Sequence, residues 1–100
     1  MIVHIDDQGV TVLEGDDCTR LSVATTLPPD ATDRALRGRG LGRATESGTA
    51  ELAVADLRAL ASEGAAADWP DRWDAMIAYA RRNDWLSADG LWVQAHIAPA

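Results

Sequence analysis

Large apolar side chains are scarce in this chain, and that scarcity limits what it can fold into more than any other feature. Nearly half of the 100 residues count as apolar, yet 19 of them are Ala, while Leu, Ile and Val together supply 20 and Phe is absent. Chains at this level of Leu, Ile, Val and Phe sit at the border below which a highly charged sequence fails to fold. Four indoles make up the missing bulk: Trp69, Trp73, Trp85 and Trp92 all lie in the C-terminal third. Each can remove about 200 Å² from water. The expectation is one small domain, residues 1–100, whose core is thin enough to gain from a partner chain.

Several classes of function are disfavoured at once. No apolar run approaches the roughly 20 residues that a membrane-crossing helix needs. The opening Met1-Ile2-Val3-His4-Ile5-Asp6-Asp7 lacks the cationic start of a secretory signal. Cys18 is the single cysteine, so neither an intrachain disulfide nor a cysteine-built zinc site is expected, and the cytoplasm is the default compartment. All nine basic residues are Arg and none is Lys. With the abundance of Ala and Asp, this matches the amino-acid bias of high-GC bacterial genomes, so each Arg need not have been chosen over Lys for its fork geometry.

The net charge of -7 opposes general binding to nucleic acid or anionic membrane. The charge is nevertheless uneven. Residues 34–43 carry Arg34, Arg37, Arg39 and Arg43 with no acid between them.

Along the chain, residues 2–5 and 10–13 are short Val/Ile-rich runs around Asp6-Asp7-Gln8-Gly9, which predicts a β-hairpin. Residues 18–26 alternate, with Thr19, Leu21 and Val23 on one side and Cys18, Arg20 and Ser22 on the other, which predicts a third strand and hence an N-terminal antiparallel meander. Pro28-Pro29 ends it. A helix of two turns is expected over residues 31–37, followed by Gly38-Arg39-Gly40-Leu41-Gly42-Arg43 as loop.

Residues 44–52 read either as a hairpin turning at Ser47-Gly48 or as the start of a helix. A helix is expected over 53–63, stopped by Gly64. Trp69, Trp73, Met76, Ile77 and Ala80 recur at helical spacing, which predicts an amphipathic helix over 69–83 with Pro70 in its first turn. Ser87-Ala88-Asp89-Gly90 between apolar runs predicts a C-terminal hairpin. In its second strand Leu91, Val93, Ala95 and Ile97 share the core side, which turns Trp92, Gln94 and His96 outward. The fold class these elements predict is α+β, with two or three helices.

Two groups of residues are candidates for binding. Gly-rich turns can cradle anions with backbone N–H groups while Arg forks hold them bidentately, so Arg37, Arg39 and Arg43 form a candidate anion or partner loop. The Gly-x-Gly-x-Gly spacing fits neither a dinucleotide fingerprint nor a P-loop, and a loop whose Arg side chains pair with the domain's own acids is the simpler alternative. Trp92 and His96 form the second candidate, an outward strand face offered to a partner or a second copy.

Other motifs are weaker. Helix 53–63, helix 69–83 and hairpin 85–97 follow the order of a winged helix, but Asp71 and Asp74 at the start of the second helix would repel phosphate. His4 and His96 could meet across a sheet as an acid–base or metal pair, although neither has metal-ligand spacing. Cys18 follows Asp16-Asp17, whose charges oppose thiolate formation. No catalytic residues, metal or cofactor are expected. The leading expectation is a non-enzymatic, self-associating interaction module with a homodimer or another protein as partner. A nucleotide- or nucleic-acid-binding regulator is the alternative, and a small enzyme using a strand histidine the third.

Overall fold

The computed structural model describes residues 1–45 and 47–100. Strands β1 (Ile2–Asp6) and β2 (Gly9–Leu13) form the opening hairpin, with Ile2 opposite Leu13 and Ile5 opposite Val10. Asp6 shapes the turn by accepting the N–H groups of Gln8 and Gly9. Strand β3 (Ser22–Thr25) lies on the other side of β1 and runs parallel to it, pairing Val3 with Val23. The opening strands are therefore a hairpin plus a crossover rather than an antiparallel meander. Residues 14–21 pass beneath the start of β1 to reach β3, and the Met1 ammonium donates to the carbonyls of Asp17 (2.8 Å) and Arg20 (2.9 Å) on the way. Residues 18–21 thus serve as crossover and not as strand.

Helix α1 (Pro29–Arg39) starts on Pro29, whose fixed backbone suits a first helical turn, and extends past Gly38. It ends at Gly40, which takes the left-handed conformation (φ 71°) and donates its N–H to Arg37 O. Strands β4 (Gly42–Ala44) and β5 (Thr49–Ala53) then form a hairpin, which resolves residues 44–52 as strand. The expected Arg/Gly loop is overturned: Gly38 and Arg39 are helical, Gly42 and Arg43 are strand, and only a short turn separates them. Glycine at 38 did not break the helix because a Cβ there would meet open space, so its only penalty is its propensity. Glycine at 42 has a packing role instead, since a Cβ there would collide with the carbonyl of Glu51 on the paired strand.

Helix α2 (Val54–Ala61) follows β5 directly, with its first N–H donated to Leu91 O. Helix α3 (Trp69–Arg82) buries Trp69, Trp73, Met76 and Ala80, the stripe the sequence predicts. Strand β6 (Trp92–Ala98) completes one six-stranded mixed sheet in the order β2-β1-β3-β6-β5-β4. The fold class is α+β. An antiparallel bridge between Leu86 and Val93 preserves the C-terminal hairpin. Since β6 is flanked by β3 and β5, that hairpin is not a free wing. No helix among the described residues is long and apolar enough to cross a membrane.

The two faces of the sheet differ completely. Val3, Ile5, Val23, Thr25, Ala50, Leu52, Val93 and Ala95 point toward the helices and are all buried. Trp69 (1% exposed) and Trp73 (2%) stack with ring centroids 5.5 Å apart, and the Trp69 indole N–H donates to Gly15 O at 2.7 Å. By area, full burial of one such ring is worth roughly twice what a Val contributes. Helix α1 lies against β4 and also against β2, although these are opposite ends of the strand order. The sheet is therefore coiled around α1.

Candidate functional site

Register places the other face of the sheet residue by residue. His96 of β6 sits beside Ser22 of β3 on one side and Thr49 of β5 on the other, and Ile2 and Leu13 extend that row. The next row toward the start of β6 is Gln94, Glu51 and Arg43. The Leu86–Val93 bridge puts Trp85 beside Gln94, whose backbone N–H donates to Trp85 O at 2.7 Å. Trp92 follows, opposite Ala53. No residue on this face is buried.

Toward its β4 edge, Arg43 donates to Glu51 at 2.9 Å and holds its guanidinium 5.7 Å from the centre of the Trp92 ring. Carboxylate and indole hold the Arg from two directions, an arrangement that also half-covers Trp92. Trp85 stays 44% exposed and meets the ring of Tyr79 (52% exposed) edge-on, with centroids 5.7 Å apart. Shallow depressions surround this group. One of about 200 Å³ lies between Trp85 and Trp92, and another of about 320 Å³ lies between Trp85, Leu21 and His96.

The candidate residues fall apart and regroup. Arg37 is on α1 and pairs with Asp33 of the same helix at 2.8 Å; Arg39 ends that helix, exposed. Arg43 is on β4, on the sheet face described above. The three do not converge on one anion. Instead Arg43 joins Trp92, from the other candidate pair, and His96 lies one row away.

Asp33 holds this corner together. It accepts the N–H of Ala44 at the outer edge of β4 (3.0 Å) as well as the Arg37 side chain, and these bonds keep its carboxyl below the usual aspartate range. Among the sequence candidates Glu51 is absent, Trp85 counts only as bulk, and Gln94 enters only as a neighbour of Trp92 on the outward face. The Asp89-Gly90 turn contained the signal for Trp85, because a hairpin pairing Leu86 with Val93 sets Trp85 beside Gln94.

The two histidines share this face but do not meet. His4 aligns with Ala24 and Ala98 while His96 aligns with Ser22, two strands and two residues away, so about 12 Å separates them. His4 is instead 3.9 Å from Asp6. Among the described residues, no three His, Cys, Asp or Glu side chains are grouped closely enough to hold a metal ion. Cys18 is buried, and that burial, more than its acidic neighbours, pushes its thiol up. No protein-family model, curated protein or solved structure matches the chain.

Proposed function

We propose that the chain is a cytoplasmic, non-enzymatic interaction module that pairs with a second copy of itself along the strip of sheet centred on β6. The observation that carries this reading is the charge of the uncovered face. Among the described residues its strands carry only Asp6, Arg43 and Glu51 as fully charged groups, besides His4 and His96, with Asp84 at the rim; Arg43 and Glu51 already compensate each other, while the whole chain has a net charge of -7. Two copies approaching by this face meet little of that net charge and bring Trp92, Gln94, His96 and Thr49 together. A two-fold arrangement sets β6 against its own copy, so each Trp92 meets a polar residue or a ring of the other protomer. The coil of the sheet makes the face convex and the contact a narrow strip, which suits a weak dimer at the small end of interface sizes.

The alternative of anion binding through residues 34–43 loses support from the pairing of Arg37 and Arg43 with acids. Sedimentation equilibrium across a concentration series tests the pairing. The expected result is a species of twice 10.7 kDa at the upper concentrations, which Trp92→Glu or His96→Glu converts to monomer with the fold intact. A strict monomer throughout the series overturns the proposal.

A further inference from the structure

A third depression has a different character and does not depend on self-association. It is a crevice of about 310 Å³ between the C-terminal half of α3 and the sheet, where residues 19–21 lead into β3 and Trp85 flanks β6. Its floor is core: Met76, Ala80 and Val93 are all buried. Its mouth is framed by Tyr79 and Trp85, the edge-to-face pair, which are two of the most exposed large apolar side chains in the molecule. The volume lies at the lower limit of the roughly 300–1,000 Å³ typical of small-molecule sites, and an apolar floor with a few polar groups at the rim is the usual composition of such sites.

The charge at the rim selects the ligand. Among the described residues, Arg20 is the only acidic or basic one lining the crevice, in a chain whose acids outnumber its Arg residues. Its position is set by its own carbonyl, which accepts the Met1 ammonium at 2.9 Å. Among the described residues its guanidinium has no carboxylate within ion-pair distance. Asp17 is close enough to feel Arg20, but its carboxylate accepts the Thr19 backbone N–H (3.0 Å) and hydroxyl. A second cation, Arg82, stands 5.8 Å from the centre of the Tyr79 ring, outside the crevice lining. Gln94 adds a carboxamide to the rim.

From this geometry we infer that the crevice between α3 and Trp85 binds a small planar aromatic carboxylate. The ring lies on Met76 and Val93 beside the Tyr79–Trp85 pair, and the carboxylate takes the Arg20 fork. An apolar ring desolvates the floor, which water fills poorly, while the fork supplies the charge-assisted hydrogen bonds that discriminate an acid from a neutral analogue.

The probes are 2-naphthoate and the neutral 2-naphthamide, followed by titration calorimetry and by chemical-shift mapping at low ionic strength. The expected result is saturable binding of the acid at least tenfold tighter than the amide, with shifts centred on Tyr79, Trp85 and Val93. Arg20→Gln should erase the difference between the two probes while leaving weak binding of both. Ile77→Trp, a substitution on the crevice wall that adds bulk, should abolish both. Equal affinity of the parent protein for acid and amide, an undiminished preference in Arg20→Gln, or no saturable binding at low millimolar probe each overturns the inference. Self-association is read separately, so failure of one result leaves the other standing.

Discussion

The two faces of the sheet come from the same strands and share every backbone hydrogen bond, yet they do opposite things. Toward the helices, Val3 beside Val23 and Leu52 beside Val93 are sealed from water. One residue along each strand, His4 beside Ala24 and Glu51 beside Gln94 remain accessible. In a strand the side chain alternates with period two, so a chain poor in large aliphatics can cover one face only. The helices, with two of the four indoles, are committed to that face. What remains on the other is too polar to be a core and too uncharged to match the rest of the surface.

The sharpest way to break this contrast is to remove one indole from each side. Trp69→Ala should cost about 3–5 kcal/mol, enough to unfold much of the population, because it empties the core and leaves Gly15 O without its donor. Trp92→Ala should cost less than about 1 kcal/mol in the monomer, as a half-exposed ring gives up little burial. Chemical denaturation of the two variants checks the ratio, and equal losses would mean that the outer face is also core.

Next in size is Gly42→Ala. Its methyl group must push into the Glu51 carbonyl, and overpacking of this kind costs about 1–3 kcal/mol. Thermal unfolding should show the drop, whereas Gly38→Ala, with open space around it, should stabilise by up to about 1 kcal/mol.

Asp33→Ala should have a smaller effect, and one that depends on pH. The carboxyl of Asp33 is held below its usual value of 3.8 by the Ala44 N–H and by Arg37. Its contribution is therefore complete above that value and is lost as pH falls through the lower folded value. The parent protein should lose stability in that acid window, and the variant should lose less there; parallel curves would show that Asp33 does not latch β4. The smallest effect is expected for Leu13→Ser, an exposed change at the far end of the open face, which should stay within about 0.5 kcal/mol.

Local patterns carried much of this fold. The recurrence of Trp69, Trp73, Met76 and Ala80 is sufficient for α3, and Asp6 to Gly9 is sufficient for the first hairpin. The parallel placement of β3 is not local: it depends on residues 14–21 passing under β1, which no periodicity in those residues announces. Gly38 and Gly42 looked like punctuation because propensity reads each glycine alone, while the structure uses one as a tolerated helical residue and the other as a gap for a neighbouring carbonyl. For the site, alternation along β6 was enough to turn Trp92 and His96 outward. That Arg43 would reach Trp92 requires the order β6-β5-β4, and strand order is a property of the whole chain.

Helix α1 spans the seam between β2 and β4, and Asp33 occupies an outward N–H of the latter. Sheets ordinarily grow by recruiting a fresh strand at a bare rim, and here the β4 rim has an outward N–H already taken by Asp33 of that helix. A strand added at that rim must therefore displace the Asp33 carboxylate first, which makes the corner held by α1 a guard against edge-to-edge pairing.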